Sequence, residues 1–231
     1  MGLDWLPGNK PKPGFEAEHE DIIQRILKED FAQEQSSIGA WFGRFRKSES
    51  ADKPTEEELM QRFEDISITA FETLSAPRVG HDEKATEWAR AQYPEIQTDE
   101  PLDAWLKSMD GYYVVSLADP CDGIPKYSNG FPGSHVEPYS FRGQFLTSCP
   151  EIIDEDLLER CYVTKTNSDT LAFGNELLQL GHDYASQRGL NVEALDEEDV
   201  EGPEFQTDVV ISAGKWCVFW AKRGHFLDTW W

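Results

Sequence analysis

Apolar and polar positions along the chain fall into several rhythms, and each predicts an element. Over residues 15–34, Ile22, Ile23, Ile26 and Leu27 recur at helical spacing, which predicts an amphipathic helix. IGAWFGRFRK at 38–47 predicts a short helix packed through Trp41, Phe42 and Phe45. After the linker SESADKP, Thr55 and Glu58 form a capping box at a helix start. Leu59, Phe63, Ile66, Ala70 and Leu74 then make one stripe, which predicts a single helix reaching to Pro77. Shorter helices are expected at 82–92, opened by Asp82 and stopped before Pro94, and at 101–109, closed by Gly111. Helical patterns also cover 141–149 and 150–160. The helix at 168–188 is the best marked, with Ser168 as its cap, Gly189 as its stop, and Leu171, Leu178 and Ala185 on one side. Gly174 and Gly181 lie within it; a mid-helix glycine costs about 1 kcal/mol relative to alanine, so close approach of another element is the natural reason for both.

Other runs have the β-branched and aromatic character of strands. YYVVSLA at 112–118 is one. DVVISA, KWCVFWA and HFLDTWW, separated by short glycine-bearing breaks, read as an antiparallel meander at the C-terminal end. Trp216 and Trp220 then share one face and point into the core. Helices first and strands last predict an α+β fold: a mainly helical N-terminal two-thirds, and a small antiparallel sheet of the C-terminal strands joined by 112–118. The length of 231 residues fits a single domain. Residues 1–14, with three prolines and three glycines, read as an extended arm pinned by Trp5 and Leu6. Residues 191–204 read as a solvated acidic loop.

Composition narrows the function classes. The chain carries 44 acidic and 21 basic residues, a net charge of −23. Such a field repels phosphate backbones and anionic membrane surfaces, so neither a nucleic acid nor a membrane is an expected partner. It suits a basic protein partner or a small cationic ligand. The N-terminal residues lack the apolar core of a signal peptide and no apolar run reaches membrane-span length, so the expected compartment is a cytoplasm and the four cysteines are expected to be reduced.

The segment DPCDGIPKYSNGFPGSHVEPYSFRGQ, 119–144, is where chemistry concentrates. A long connection rich in aromatics is either a pocket wall or the cover of a sheet edge. Asp119, Asp122, Tyr127, His135, Glu137, Tyr139 and Arg142 are its candidate ligand- or partner-binding residues. His135 and Glu137, two apart, face one side of an extended chain, and with Asp119 and Asp122 they could bind a divalent metal or act as an acid–base pair, with Arg142 holding an anion. The same residues also read as the surface of a polar loop. The zinc-deaminase pattern fails, because His135-Val136-Glu137 is not followed by Pro-Cys-x-x-Cys. Cys121 is a poor nucleophile beside two aspartates, which raise a thiol pKa.

Elsewhere, His19, His81 and His182 sit beside acids, at a frequency that an acidic chain produces by chance. Arg44, Arg46 and Lys47 form a small basic patch among aromatics. Dinucleotide, P-loop and nucleophile-elbow motifs are absent, and no cofactor is implied. The leading expectation is a non-enzymatic binding protein that uses 119–144. The alternatives are a metal-dependent or acid–base hydrolase at Asp119, Asp122, His135 and Glu137, and a subunit that self-associates through the strand ending in Trp230 and Trp231.

Overall fold

The computed structural model describes residues 2–31, 53–96, 98–125, 135–193 and 202–231. In chain order the elements are β1 (Asp4–Pro7), β2 (Lys10–Pro11), α1 (Glu16–Leu27), α2 (Glu56–Asp65), β3 (Ser67–Ile68) and α3 (Ala70–Thr73). There follow α4 (Glu83–Gln92), α5 (Leu102–Ser108), α6 (Glu155–Cys161), α7 (Asn167–Arg188), α8 (Pro203–Lys222) and β4 (Leu227–Trp230). The class is α+β, as the sequence predicts. The chain divides into two compact units, Asn9–Ile68 and a larger one formed by Met1–Gly8 with Thr69–Trp231.

In the smaller unit α1 packs on α2 through Ile22, Ile23, Leu59 and Phe63, and β2 pairs antiparallel with β3. Arg62 grips Glu18 with two hydrogen bonds of 2.7 and 2.9 Å. Thr55 and Glu58 form the predicted capping box. The single helix expected to run to Pro77 is broken, however. The chain leaves α2 at Ile66, and Lys12 N donates to Ile66 O at 2.7 Å as β3 begins. Thr69 then opens α3 with a second capping box to Glu72, a start signal that competes with continuation of the stripe. The aromatic helix expected at 38–47, with Arg44, Arg46 and Lys47, lies outside the described residues.

The larger unit is built on α7 and α8. DVVISA and KWCVFWA, expected to be strands, are one helix of 20 residues with Gly202 as N-cap and Pro203 at its first turn. The physical reason is burial. Thirteen of its residues are buried, so apolar side chains occupy most of the circumference and the polar face narrows to a stripe that includes Asp208, Ser212 and Lys215. Gly214, which reads as part of a turn, is a contact point. A methyl group placed on it would stand 2.8 Å from Gly174 O and 2.9 Å from Leu178 N. The same addition at Gly174 would meet Cys217 Cβ at 2.7 Å, and at Gly181 it would meet Ile211 Cγ1 at 2.7 Å. The two helices are therefore antiparallel and meet backbone to backbone, which is the close approach that the mid-helix glycines predict. Gly189 ends α7 in the left-handed conformation as expected, whereas Thr166, two residues before Ser168, provides the cap.

The segment 112–118 is not a sheet strand. Tyr113 bridges Arg78, Val114 N donates to Pro77 O, and the chain then tightens into a 3-10 turn at Val115–Leu117. Its aromatic and branched residues fit a half-buried surface, which β-propensity records without requiring a neighbouring strand. The sheet instead joins β4, within the expected HFLDTWW run, to β1 of the N-terminal segment, antiparallel from Asp4↔Trp230 to Pro7↔Leu227. β1 is thus no arm. Trp5 is fully buried, its indole donating to Cys161 O at 2.9 Å, while Leu6 on the opposite face is half-buried. The other edge of β1 pairs with Phe141 in both directions. On the far side of β4, Lys165 N bonds Leu227 O, and Thr229 N bonds Thr164 Oγ1. Trp230 and Trp231 extend past this pairing, 61% and 64% exposed.

Two buried polar groups complete the core. His225 Nδ1 lies 2.7 Å from Gly8 O, a pure acceptor, so Nδ1 carries the proton and Nε2 accepts from Thr73 Oγ1 at 2.8 Å. The Lys165 ammonium donates to Arg160 O and to Val163 O and lies 4.3 Å from the centre of the Phe173 ring. Burial lowers its pKa to about 8.

Two predictions follow from this packing. Gly214→Ala improves helix propensity by about 1 kcal/mol, yet it should destabilise the protein by about 1–3 kcal/mol net, because its methyl group meets backbone atoms that cannot rotate away. A lowered urea midpoint measures this. For Lys165, the folded pKa lies below that of the unfolded chain, so between about pH 8 and 10.5 the unfolded state binds more protons and stability rises with pH. Measured against Lys165→Met, wild type should gain about 3 kcal/mol from pH 7 to pH 11, a difference that cancels the titration of the other groups.

Candidate functional site

The described part of 119–144 borders two clefts in the larger unit, and it is fixed there by tryptophans. Residues 136–141 form a tight hairpin in which Val136 bridges Phe141 and Glu137 N donates to Ser140 O at 2.8 Å. Two indoles of α8 hold its tip: Trp216 Nε1 donates to Glu137 O at 3.2 Å, and Trp220 Nε1 to Pro138 O at 2.8 Å. Trp216 and Trp220, spaced i and i+4, do share a buried face, on a helix instead of a strand.

The first cleft, about 520 Å³, is walled by aromatic rings. Phe71 of α3 is the middle of a stack, with Tyr113 at 4.9 Å and 9° and Tyr139 at 4.1 Å and 12°. Trp88 of α4 and Tyr112 line the same space as a second parallel pair, 6.4 Å apart. Gly111, at φ +82°, turns the chain out of α5 so that Tyr112 and Tyr113 reach the cleft, and Gly111 N and Val114 N tie this stretch back to Val79 and Pro77. The half-buried Glu137 brings the carboxylate. Its backbone is held by Trp216 and Ser140, and among the described residues its side chain forms no ion pair. Burial, with the charge of Asp228 adding to it, raises the Tyr139 phenol pKa, so this ring stays neutral.

The second cleft, about 310 Å³, is lined by His135 and Val136, by residues 123–125, and by Asp208, Ser212 and Lys215 of α8. His135 is 3% exposed, with Nε2 3.1 Å from Asp208 Oδ2. That separation is an ion-pair distance, but the angle is not that of a hydrogen bond, and among the described residues neither ring nitrogen has a hydrogen-bond partner.

The residues singled out from the sequence are thus divided. Glu137 and Tyr139 share the first cleft, and His135 lines the second. Asp122, at φ +51°, turns outward and binds Arg223 Nη2 at 2.8 Å. Asp119 is exposed and offers its backbone oxygen to Cys121 Sγ at 3.3 Å. Arg142 is exposed, its backbone N–H bonded to His135 O. Tyr127 lies outside the described residues, as does most of the acidic loop at 191–204. The metal set of Asp119, Asp122, His135 and Glu137 does not assemble: among the described residues no three histidine, cysteine or acidic side chains group to hold an ion. An extended chain would have put His135 and Glu137 on one side, but the hairpin begins between them and sends them to different clefts. Sequence reading missed Phe71, Trp88, Asp208, Ser212 and Lys215. The last three were legible only as an i, i+4, i+7 polar stripe, which the strand assignment hid.

The chain matches no protein-family model, no curated protein and no solved structure. No helix among the described residues is long and apolar enough to cross a membrane.

All four cysteines are buried thiols outside any disulfide. Burial pushes Cys149 and Cys161 up to about 12 and raises Cys217 as well. Native protein at pH 8 should therefore resist iodoacetamide, and all four thiols should alkylate after denaturation, as intact mass will show.

Proposed function

We propose that the protein is a non-enzymatic binding protein that takes a cationic side chain of a basic partner into the aromatic cleft. The observation that carries this reading is the ring stack of Tyr113, Phe71 and Tyr139 beside the Glu137 carboxylate in one space of about 520 Å³. Aromatic faces attract a cation, by about 0.5–1 kcal/mol when exposed and about 2 kcal/mol when desolvated. A carboxylate at the same place supplies the counter-charge. Arginine suits the site better than lysine, since its planar guanidinium stacks on rings and pairs with a carboxylate at once. The net charge of −23 supports the reading from a distance, because an acidic field speeds encounter with a basic partner and disfavours nucleic acid and anionic membranes. Four thiols outside any disulfide support a reducing compartment such as the cytoplasm.

An arginine-rich decapeptide, its lysine counterpart and a glutamate-rich control test the proposal by fluorescence titration. The arginine peptide should bind tightest, and its affinity should fall as salt rises. Glu137→Gln and Tyr139→Ala should each weaken it by about tenfold, or about 1.4 kcal/mol. Any acidic protein attracts a polycation, so equal binding by both variants and wild type would sink the reading.

A further inference from the structure

The smaller cleft has a chemistry of its own. On α8, Asp208, Ser212 and Lys215 fall at i, i+4 and i+7, a polar stripe on a helix that is otherwise largely buried. Ser212 Oγ donates to Asp208 Oδ1 at 3.5 Å, which leaves Oδ2 facing His135. Side chains on a helix lean toward its N-terminus, so Lys215 leans over Ser212 toward Asp208. Among the described residues Lys215 forms no ion pair.

His135 is the informative member. Its ring lies among Phe141, Phe145 and Phe205, with centres at 6.1, 5.7 and 6.3 Å. It is almost fully buried, yet both nitrogens lack hydrogen bonds among the described residues. A buried polar group without a partner costs about 1–3 kcal/mol. That cost is recovered if the ring meets a ligand in the cleft it lines, to which a neutral imidazole offers one donor and one acceptor.

We propose that this cleft binds a small zwitterion of amino-acid size, its ammonium group on Asp208 and His135 and its carboxylate on Lys215 and Ser212. The charges select the class. A simple anion would be repelled by the Asp208 carboxylate and a simple cation by the Lys215 ammonium, whereas a zwitterion gives each protein charge an opposite partner. The volume of about 310 Å³ lies at the small end of ligand sites and suits an amino acid. This site is separate from the aromatic cleft, and the two readings stand or fall independently.

Isothermal titration calorimetry on the full chain decides it, with L-alanine, L-serine and L-glutamine as probes and propionate and propylamine as single-charge controls. At least one amino acid should bind with a Kd below about 1 mM, and both controls at least about tenfold more weakly. Asp208→Asn and Lys215→Met should each cost about tenfold in affinity, while Lys84→Met, exposed on α4, changes nothing. Lys215 is exposed and Asp208 a quarter exposed, so both variants should fold, which circular dichroism will verify. The proposal is overturned if no amino acid binds by about 10 mM, if a control binds as tightly, or if either charge variant keeps wild-type affinity.

Discussion

The backbone contact between α7 and α8 at Gly174, Gly181 and Gly214 sets the positions of much that surrounds it. Because the helices meet without intervening side chains, α8 sits deep enough to bury Trp216, Trp220 and Cys217 completely. From that depth the two indoles reach the 136–141 hairpin, and the hairpin carries Glu137 and Tyr139 to one cleft and His135 to the other. At the far end of the pair, Asn167 of α7 donates to Ala221 O and His225 O, closing the end of α8 where the chain turns into β4. Small residues at one interface thus govern the geometry of both clefts, through hydrogen bonds that a buried indole must make in any case.

Charge and aromatic surface act at different ranges. The net charge of −23 works over distances of a Debye length and favours no particular geometry. The cleft rings act only on contact, where stacking fixes orientation. The two join at Glu137, a half-buried acid among aromatic faces. Among the described residues, most acids in the larger unit's ion pairs are spent on surface arginines, as with Glu176 on Arg160 and Asp122 on Arg223. Such pairs contribute little to stability, and they leave the field of the protein largely intact.

Legibility in the sequence followed burial. Amphipathic helices with one wet face, α1, α2, α4 and α7, were readable, down to the capping box at Thr55 and the left-handed Gly189. The α+β class was reached from these helices and from four expected strands, of which only the run holding residues 227–230 is a strand. The helix α8 was hidden because periodicity records a contrast between faces, and a helix buried nearly all round has little contrast to record. β1 was hidden for the opposite reason: proline and glycine flank it, and its burial depends on a partner more than two hundred residues away. The site was half legible. The loop placed Glu137, Tyr139 and His135 near clefts, but their companions Phe71, Trp88 and Asp208 come from distant segments, and only the three-dimensional fold brings them together.

The pairing of β1 with β4 also bears on how the protein comes into being. Trp5 enters the core between Phe141 and the sheet partner at Thr229, so its native surroundings require nearly the whole chain. On the ribosome, Leu3 and Trp5 are made more than two hundred residues before their partner strand and wait, solvent-exposed or in transient contacts, until residues 227–230 have left the exit tunnel. Contacts this distant in sequence slow folding, because the long intervening loop must be closed before the pairing rewards it. The buried edge of the larger unit therefore stays unpaired until both ends of a stretch of more than two hundred residues have been made, and the topology sets a late step in the assembly of this core.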